Sequence, residues 1–239
     1  MSPPVIFILG AGPGIGSSVA NAFASKGYEV ALAARSFDNS IDDKGYLLLK
    51  LDLANTEDIE GAFEKVADTF GIPSVVVYNG ALRIQRASED PLSSITIDEA
   101  RTEFAVNVLT PLFTAKEAVK GFKQLPTSTL PTFIMTGNLL NVGVSPAVTV
   151  FGMGKTSAAH LIKAASIAYS KDGFQFYYAD QRQEDGGPSI PVEGEVAGQT
   201  YVELAERKEQ GPWDYTFVKG KGYASVRIPG FWNGEAEGS

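Results

Sequence analysis

The chain has 239 residues, 44% of them hydrophobic, with no cysteine, one histidine and a formal net charge of −8. That length supports one domain with a substantial core. The missing cysteines and the lone His160 exclude disulfides and thiolate or His-rich metal sites, so no metal is expected. Dispersed negative charge disfavours nucleic acid and anionic membranes, which leaves a cytoplasmic protein acting on a small molecule as the expectation.

In chain order, Met1-Ser2-Pro3-Pro4 leads into the apolar run Val5–Leu9 without a basic and long apolar leader, and no stretch approaches membrane-spanning length. Apolar runs at 5–9, 29–33, 46–51, 74–78, 132–136 and 174–179 predict six strands. Helical periodicity predicts helices over 14–25, 56–70, 97–122 and 150–170, while 36–45 is too polar and turn-rich for one. This alternation implies an α/β fold: a Rossmann-like, doubly wound parallel sheet flanked by helices, in a single domain over 1–239. Beyond Ala179 the pattern loosens, with a helix expected over 196–208. Residues 180–239 are expected to cover the substrate cleft, and 234–239 to fray.

The first strand ends in Gly10-Ala11-Gly12-Pro13-Gly14-Ile15-Gly16 and opens directly onto the first helix. Glycines there let backbone turn sharply and approach a pyrophosphate, while the helix N-terminus offers N–H groups and a positive dipole end. A Gly-rich turn without a ligand is the bland alternative. Position in an alternating chain favours nucleotide binding through Gly10, Gly14, Ile15 and Gly16. The spacing fits G-x-x-x-G-x-G and fails G-x-G-x-x-G, because Ile15 occupies the place of the last glycine.

Together with residues further along the chain, that spacing resembles the short-chain dehydrogenase/reductase family, from Val5 to about Ala179. Members carry an acidic and then an aliphatic residue after the third strand, matched by Asp52-Leu53. Asn79-Gly80-Ala81 stands where they carry Asn-Ala-Gly, and Asn107 matches an asparagine in the long fourth helix. Pro111, lacking a backbone donor, predicts a distortion beside it. A fifth match is Phe151-x-x-x-Lys155, with phenylalanine in place of the proton-donating tyrosine. The resemblance implies that Lys155 holds the cofactor and that the helices over 97–122 and 150–170 form a dimer or tetramer. Ala158, Ala159, Leu161, Ile162, Ala165 and Ala168 are the apolar surface expected for that contact.

At the end of the second strand, Arg35-Ser36 carries no acid to bind a ribose hydroxyl, and a guanidinium suits a 2′-phosphate. The expected cofactor is therefore NADP(H), the alternative being that Arg35 is a solvated surface residue. Departures from the family cluster at the other end. The family's serine aligns with Asn138, an amide that can polarise a carbonyl but is a poor proton source. Its Pro-Gly aligns with Gln181-Arg182.

The expected catalytic set is Lys155, Asn138 and Asn107. Other hydroxyls near the cleft (Thr136, Ser145, Thr149, Tyr177, Tyr178) are more often structural, and His160 falls off the Phe151/Lys155 face. Phe151, Leu139, Leu140, Trp213 and one of Tyr177 or Tyr178 are expected to line the substrate pocket, and Phe217 is expected to be ordinary core. Arg83, Arg86 and Arg182 follow strand ends and suit an anionic substrate, though such residues are usually solvated. Three functions remain open: an NADPH-dependent reductase of a small carbonyl or imine with an unusual proton source, a redox-silent nucleotide-binding protein, or a non-redox catalyst of cyclisation or isomerisation.

Overall fold

Nine strands form one sheet in the computed structural model, which describes residues 2–225; the tail expected to fray lies outside them. In chain order they are β1 (Val5–Leu9), β2 (Glu29–Ala34), β3 (Ser40–Ile41), β4 (Leu47–Lys50), β5 (Val75–Tyr78), β6 (Thr132–Thr136), β7 (Gln175–Arg182), β8 (Asp214–Val218) and β9 (Gly222–Tyr223). Their spatial order is β3-β4-β2-β1-β5-β6-β7-β8-β9. Only the short edge strands β3 and β9 pair antiparallel.

Each inner strand is apolar on both sides because helices cover both faces, so β1 and β5 are buried along their whole length. Side chains alternate between two cores. Phe7, Phe133, Phe176 and Tyr178 enter one, with Phe63, Phe122 and Ile162 of α2 (Ile59–Phe70), α4 (Thr110–Phe122) and α5 (Thr149–Ala168). Ile6, Ile8, Ile134 and Tyr177 enter the other, with Phe23 of α1 (Ile15–Ala24) and Tyr201 of α6 (Gly194–Ala205). Strand order reverses between β1 and β5, so a crevice opens beyond their carboxyl ends, where open α/β sheets bind ligands.

The expected helix over 97–122 is broken. A capping box of Thr96 and Glu99 starts α3 (Ile97–Phe104), five residues of π-helix follow over Ala105–Leu109, and α4 continues. Pro111 lacks the N–H that would bond to the Asn107 carbonyl in a regular α-helix, and the widened turn accommodates this. The side-chain amide of Asn107 is locked to Leu82: its Nδ2 donates to the Leu82 carbonyl at 2.7 Å, and Leu82 N donates to its Oδ1 at 3.1 Å.

Two expectations need correction here. β7 continues three residues past Ala179, because β8 pairs with it from Tyr178 to Arg182. Of the residues expected to face a second copy, Ala158, Ala159, Ile162 and Ala165 pack into the chain's own core. The exposed large apolar side chains of α4 and α5 are instead Leu112, Phe113, Met153 and Ile167.

Candidate active site

The crevice has two halves. The first, about 620 Å³, is bordered by Gly10, Gly12, Arg35, Ser36, Asp52, Leu53, Asn79, Gly80 and Ala81. Gly10 has φ +85°, and a Cβ on it would lie 2.4 Å from the Gly80 nitrogen, so the turns after β1 and β5 touch backbone to backbone. Asn79 Nδ2 fastens that contact by donating to the Gly10 carbonyl at 2.8 Å. A Cβ on Gly16 would lie 2.7 Å from the Ala11 Cα, which brings α1 tight against its strand. A Cβ on Gly14 would meet nothing within 4 Å: it would project into open space at the N-terminus of α1. That is the cradle a pyrophosphate needs, and no acidic side chain stands in the first turn to repel it. Arg35 and Ser36 are exposed at the rim, and the exposed Asp52 accepts a hydrogen bond from Ala54 N on Oδ1 at 3.0 Å. Leu53 is buried against Gly80, where any Cβ would strike its side chain. The residues present fit a dinucleotide.

The second half, about 520 Å³, adjoins the first through Asn79 and Ala81 and is also bordered by Ile15. Lys155 is 4% exposed there and its Nζ donates to the Thr136 carbonyl at 2.9 Å. Burial pulls its ammonium down to about 8, with the nearby Asp180 opposing that shift. The Phe151 ring lies below it, 5.4 Å from Nζ to the centroid, and has no hydroxyl to offer. Asn138 caps a short turn by accepting from Leu140 N on Oδ1 at 3.0 Å, and its Nδ2 makes no hydrogen bond among the described residues. Asn107, 2% exposed, borders neither half: its amide is bound to Leu82 and its Cβ lies against Gly154 of α5.

Two residues absent from the expected set also border this half: Asp180, at the extension of β7, and Tyr201, on α6. Asp180 is 1% exposed and bound through Oδ2 to Arg182 Nε. Burial raises its carboxyl to about 6 against the pull of Arg182. Tyr201 donates to Thr136 Oγ1 at 2.9 Å, and burial lifts its hydroxyl far above the usual tyrosine range. The aligned Pro-Gly of the family was the one available signal for Asp180, since the departure sits beside it.

Leu139, Leu140, Val144, Val148, Phe151 and Phe217 give the second half apolar walls. Neither Tyr177 nor Tyr178 borders it: Tyr177 donates to Gln175 Oε1, and Tyr178 donates to the Asn138 carbonyl. Trp213 packs against the core beneath Lys163 instead. Phe217 is buried in the core and borders the cleft as well. Of the three arginines, only Arg83 is exposed at the mouth; Arg86 is buried against Glu103 and Arg182 against Asp180. His160 is exposed on the outer face of α5.

Residues 10–177 match a family model described as enoyl-(acyl carrier protein) reductase. A short chain dehydrogenase/reductase of Cryptosporiopsis sp. (strain 8999), dmxR12, is 36% identical over 237 residues, covering 94% of this chain and 96% of its own. Two solved structures share the fold. A 3-oxoacyl-[acyl-carrier protein] reductase from Brucella melitensis has a TM-score of 0.74 at 18% identity, over 86% of this chain and 90% of that one. ElxO with NADP bound has a TM-score of 0.76 at 15% identity, over 90% and 96%. With a glycine cradle at the strand-order reversal and a buried lysine beyond it, the chain belongs to the short-chain dehydrogenase/reductase family.

Proposed function

We propose that the protein is an NADP(H)-dependent reductase of a small carbonyl or imine compound, with its proton source elsewhere than at position 151. The observation that carries this reading is the buried Lys155 in a half-cleft continuous with the glycine cradle. A lysine that has lost its hydration in a core helix has a role worth that cost. Preference for NADP(H) rests on Arg35, exposed at the rim of the adenine half with no acid beside it. ElxO, of the same fold, is known with NADP bound.

In this reading Gly10, Gly14, Ile15 and Gly16 hold the pyrophosphate, Arg35 and Ser36 the 2′-phosphate, and Asp52, Leu53, Asn79, Gly80 and Ala81 the adenosine side. Lys155 holds the nicotinamide ribose. NADPH bound there supplies a hydride to the substrate carbon. Asn138 Nδ2, free of other hydrogen bonds among the described residues, polarises the substrate oxygen. Asn107 positions rather than reacts, its amide being held by Leu82 through one bond at each atom. Phe151, with its apolar neighbours, keeps water from the reacting carbon. A cysteine-free chain suits a reducing compartment, and the reading assigns the protein to the cytoplasm. Among the described residues no helix is long and apolar enough to cross a membrane.

The reading includes a homodimer or homotetramer through Leu112, Phe113, Met153 and Ile167, whose exposed side chains give α4 and α5 an apolar surface. Light scattering at micromolar concentration tests it, and a monomer would remove that part. Calorimetry with NADPH and NADH, followed by NADPH consumption against aldehydes, ketones and imines, tests the rest. Tighter NADPH binding and turnover of at least one carbonyl class are expected. A folded protein that binds NADPH and consumes none would leave a non-redox or silent role.

A further inference from the structure

Polar groups from four elements converge at the far end of the cleft. Lys155 arrives from α5, Asp180 from β7, Tyr201 from α6 and Thr136 from the end of β6. Thr136 joins two of them, accepting from Lys155 Nζ on its carbonyl and from Tyr201 Oη on its hydroxyl. Asp180 is the member with spare bonding capacity. Arg182 Nε takes its Oδ2, and its Oδ1 accepts no hydrogen bond among the described residues. The carboxyl nevertheless lies in the cleft wall at 1% exposure. Its position follows from the strand: two residues past Tyr178, Asp180 shares the face of β7 that α5 covers. The extension of β7 that places it there replaces the family's Pro-Gly.

We propose that Asp180 is the proton-holding group of this cleft, doing with Lys155 what the hydroxyl missing at Phe151 does elsewhere in the family, on an uncharged carbonyl or imine substrate. The proposal rests on the reductase reading. The substrate carbon gains a C–H bond and two electrons as hydride from the reduced nicotinamide dinucleotide, which leaves oxidised. The π electron pair moves onto the substrate oxygen or nitrogen. That atom takes the Asp180 proton from Oδ1, and Asp180 is left as a carboxylate beside Arg182. A proton from water reloads it.

The surroundings suit an acid working near neutrality. Burial lifts the Asp180 carboxyl to about 6, and Asp214 of β8 adds to the rise. Arg182 on its own strand and Lys155 on α5 act the other way. Tyr178 and Tyr201, the other titratable groups beside it, stay neutral because burial raises both hydroxyls.

Carbon-13 NMR of the protein labelled at aspartate carboxyls tests the proposal without a substrate, with Asp180 assigned through its own backbone. The expected midpoint is near 6, rising further in Lys155→Met, where a neighbouring cation is lost. Asp180→Asn should keep NADPH affinity by fluorescence titration and lose about 100-fold or more in NADPH oxidation, with the rate's acidic pH dependence gone. If Asp180→Asn fails to fold, the wild-type titration and Lys155→Met still decide. A midpoint at the ordinary aspartate value of about 4 overturns the proposal and leaves the reductase reading intact. So does an Asp180→Asn protein with wild-type rate and pH profile. No NADPH oxidation by the wild type, with the midpoint near 6, defeats the reductase reading and the Asp180 proton transfer with it, whereas a midpoint of about 4 with NADPH oxidation intact defeats only the Asp180 proposal.

Discussion

Around the glycine turn the cleft is made by backbones in contact: Gly10 against Gly80, Gly16 against Ala11, and Asn79 fastening one turn to the other. Under α5 it is lined by the buried ionisable side chains of Lys155 and Asp180, the latter paired to Arg182, and all three are at most 4% exposed. The contrast shows where such a fold can change. A backbone site is set by residues with no side chain, so a Cβ at Gly10, Gly16 or Gly80 collides with the protein itself, and one at Gly14 fills space left open at the helix N-terminus. A side-chain site leaves room for the exchange proposed above, a carboxylate from a neighbouring strand taking over the acid's role, while the sheet beneath is undisturbed.

Filling the cradle should have the largest effect on the backbone-built half. Gly14→Val should leave the fold intact, because its Cβ meets no protein atom within 4 Å, and should abolish nucleotide binding in calorimetry. Gly16→Val is the control, since its Cβ would strike the Ala11 backbone and should lower stability by about 3 kcal/mol in denaturant unfolding. A Gly14→Val protein that binds NADPH at wild-type affinity would contradict the assignment of the cradle.

Arg35→Ala probes the one charged side chain at the rim of that half. Loss of a charge-assisted contact should weaken NADP(H) by about 1–3 kcal/mol and leave NAD(H) unchanged. Equal affinities for the two cofactors, unmoved by the substitution, would remove the preference.

The far half should announce itself in stability against pH. Asp180 has its folded value raised from 3.8 to about 6, so its contribution is fully present below about pH 4 and is lost as pH rises through 6. Lys155 has its folded value lowered from 10.5 to about 8, so its contribution is present above about 10.5 and is lost as pH falls through 8. Together they predict a minimum between about pH 6 and 8, with each limb on the order of 3 kcal/mol. Melting temperature against pH should show Asp180→Asn flattening the acidic limb and Lys155→Met the alkaline one. A profile unchanged in both variants would contradict the shifts.

The smallest effect is expected where the family's acid belongs. Phe151→Tyr should leave NADPH oxidation within about tenfold, ~1.4 kcal/mol in barrier, because the proton comes from elsewhere. A gain of several hundredfold in steady-state rate would show that position 151 still governs proton delivery.

Much of the first half was legible in the sequence, because a glycine turn between strand and helix announces itself locally and Asp52-Leu53 and Asn79-Gly80-Ala81 stand at family distances beyond it. All six expected strands are present, and Pro111 announced the distorted turn. Legibility stopped where burial depends on distant partners. Asp180-Gln181-Arg182 looks like polar loop, and only pairing with β8 draws it into the sheet. Tyr201 looks like an ordinary helix residue until α6 sets it against Thr136. Tyr177 and Tyr178 do take opposite faces, as strand alternation requires, but hydrogen bonds to Gln175 and Asn138 hold both in the core. Arg86 was unreadable for the same reason: its partner Glu103 is 17 residues away.

The reductase reading requires that a chain with phenylalanine at position 151 still transfer hydride from the cofactor its glycine cradle holds. Its most direct test is NADPH absorbance followed with the wild-type protein and a panel of aldehydes, ketones and imines. Consumption of NADPH with at least one of these classes is the predicted result. A folded, NADPH-bound protein that consumes none would contradict it.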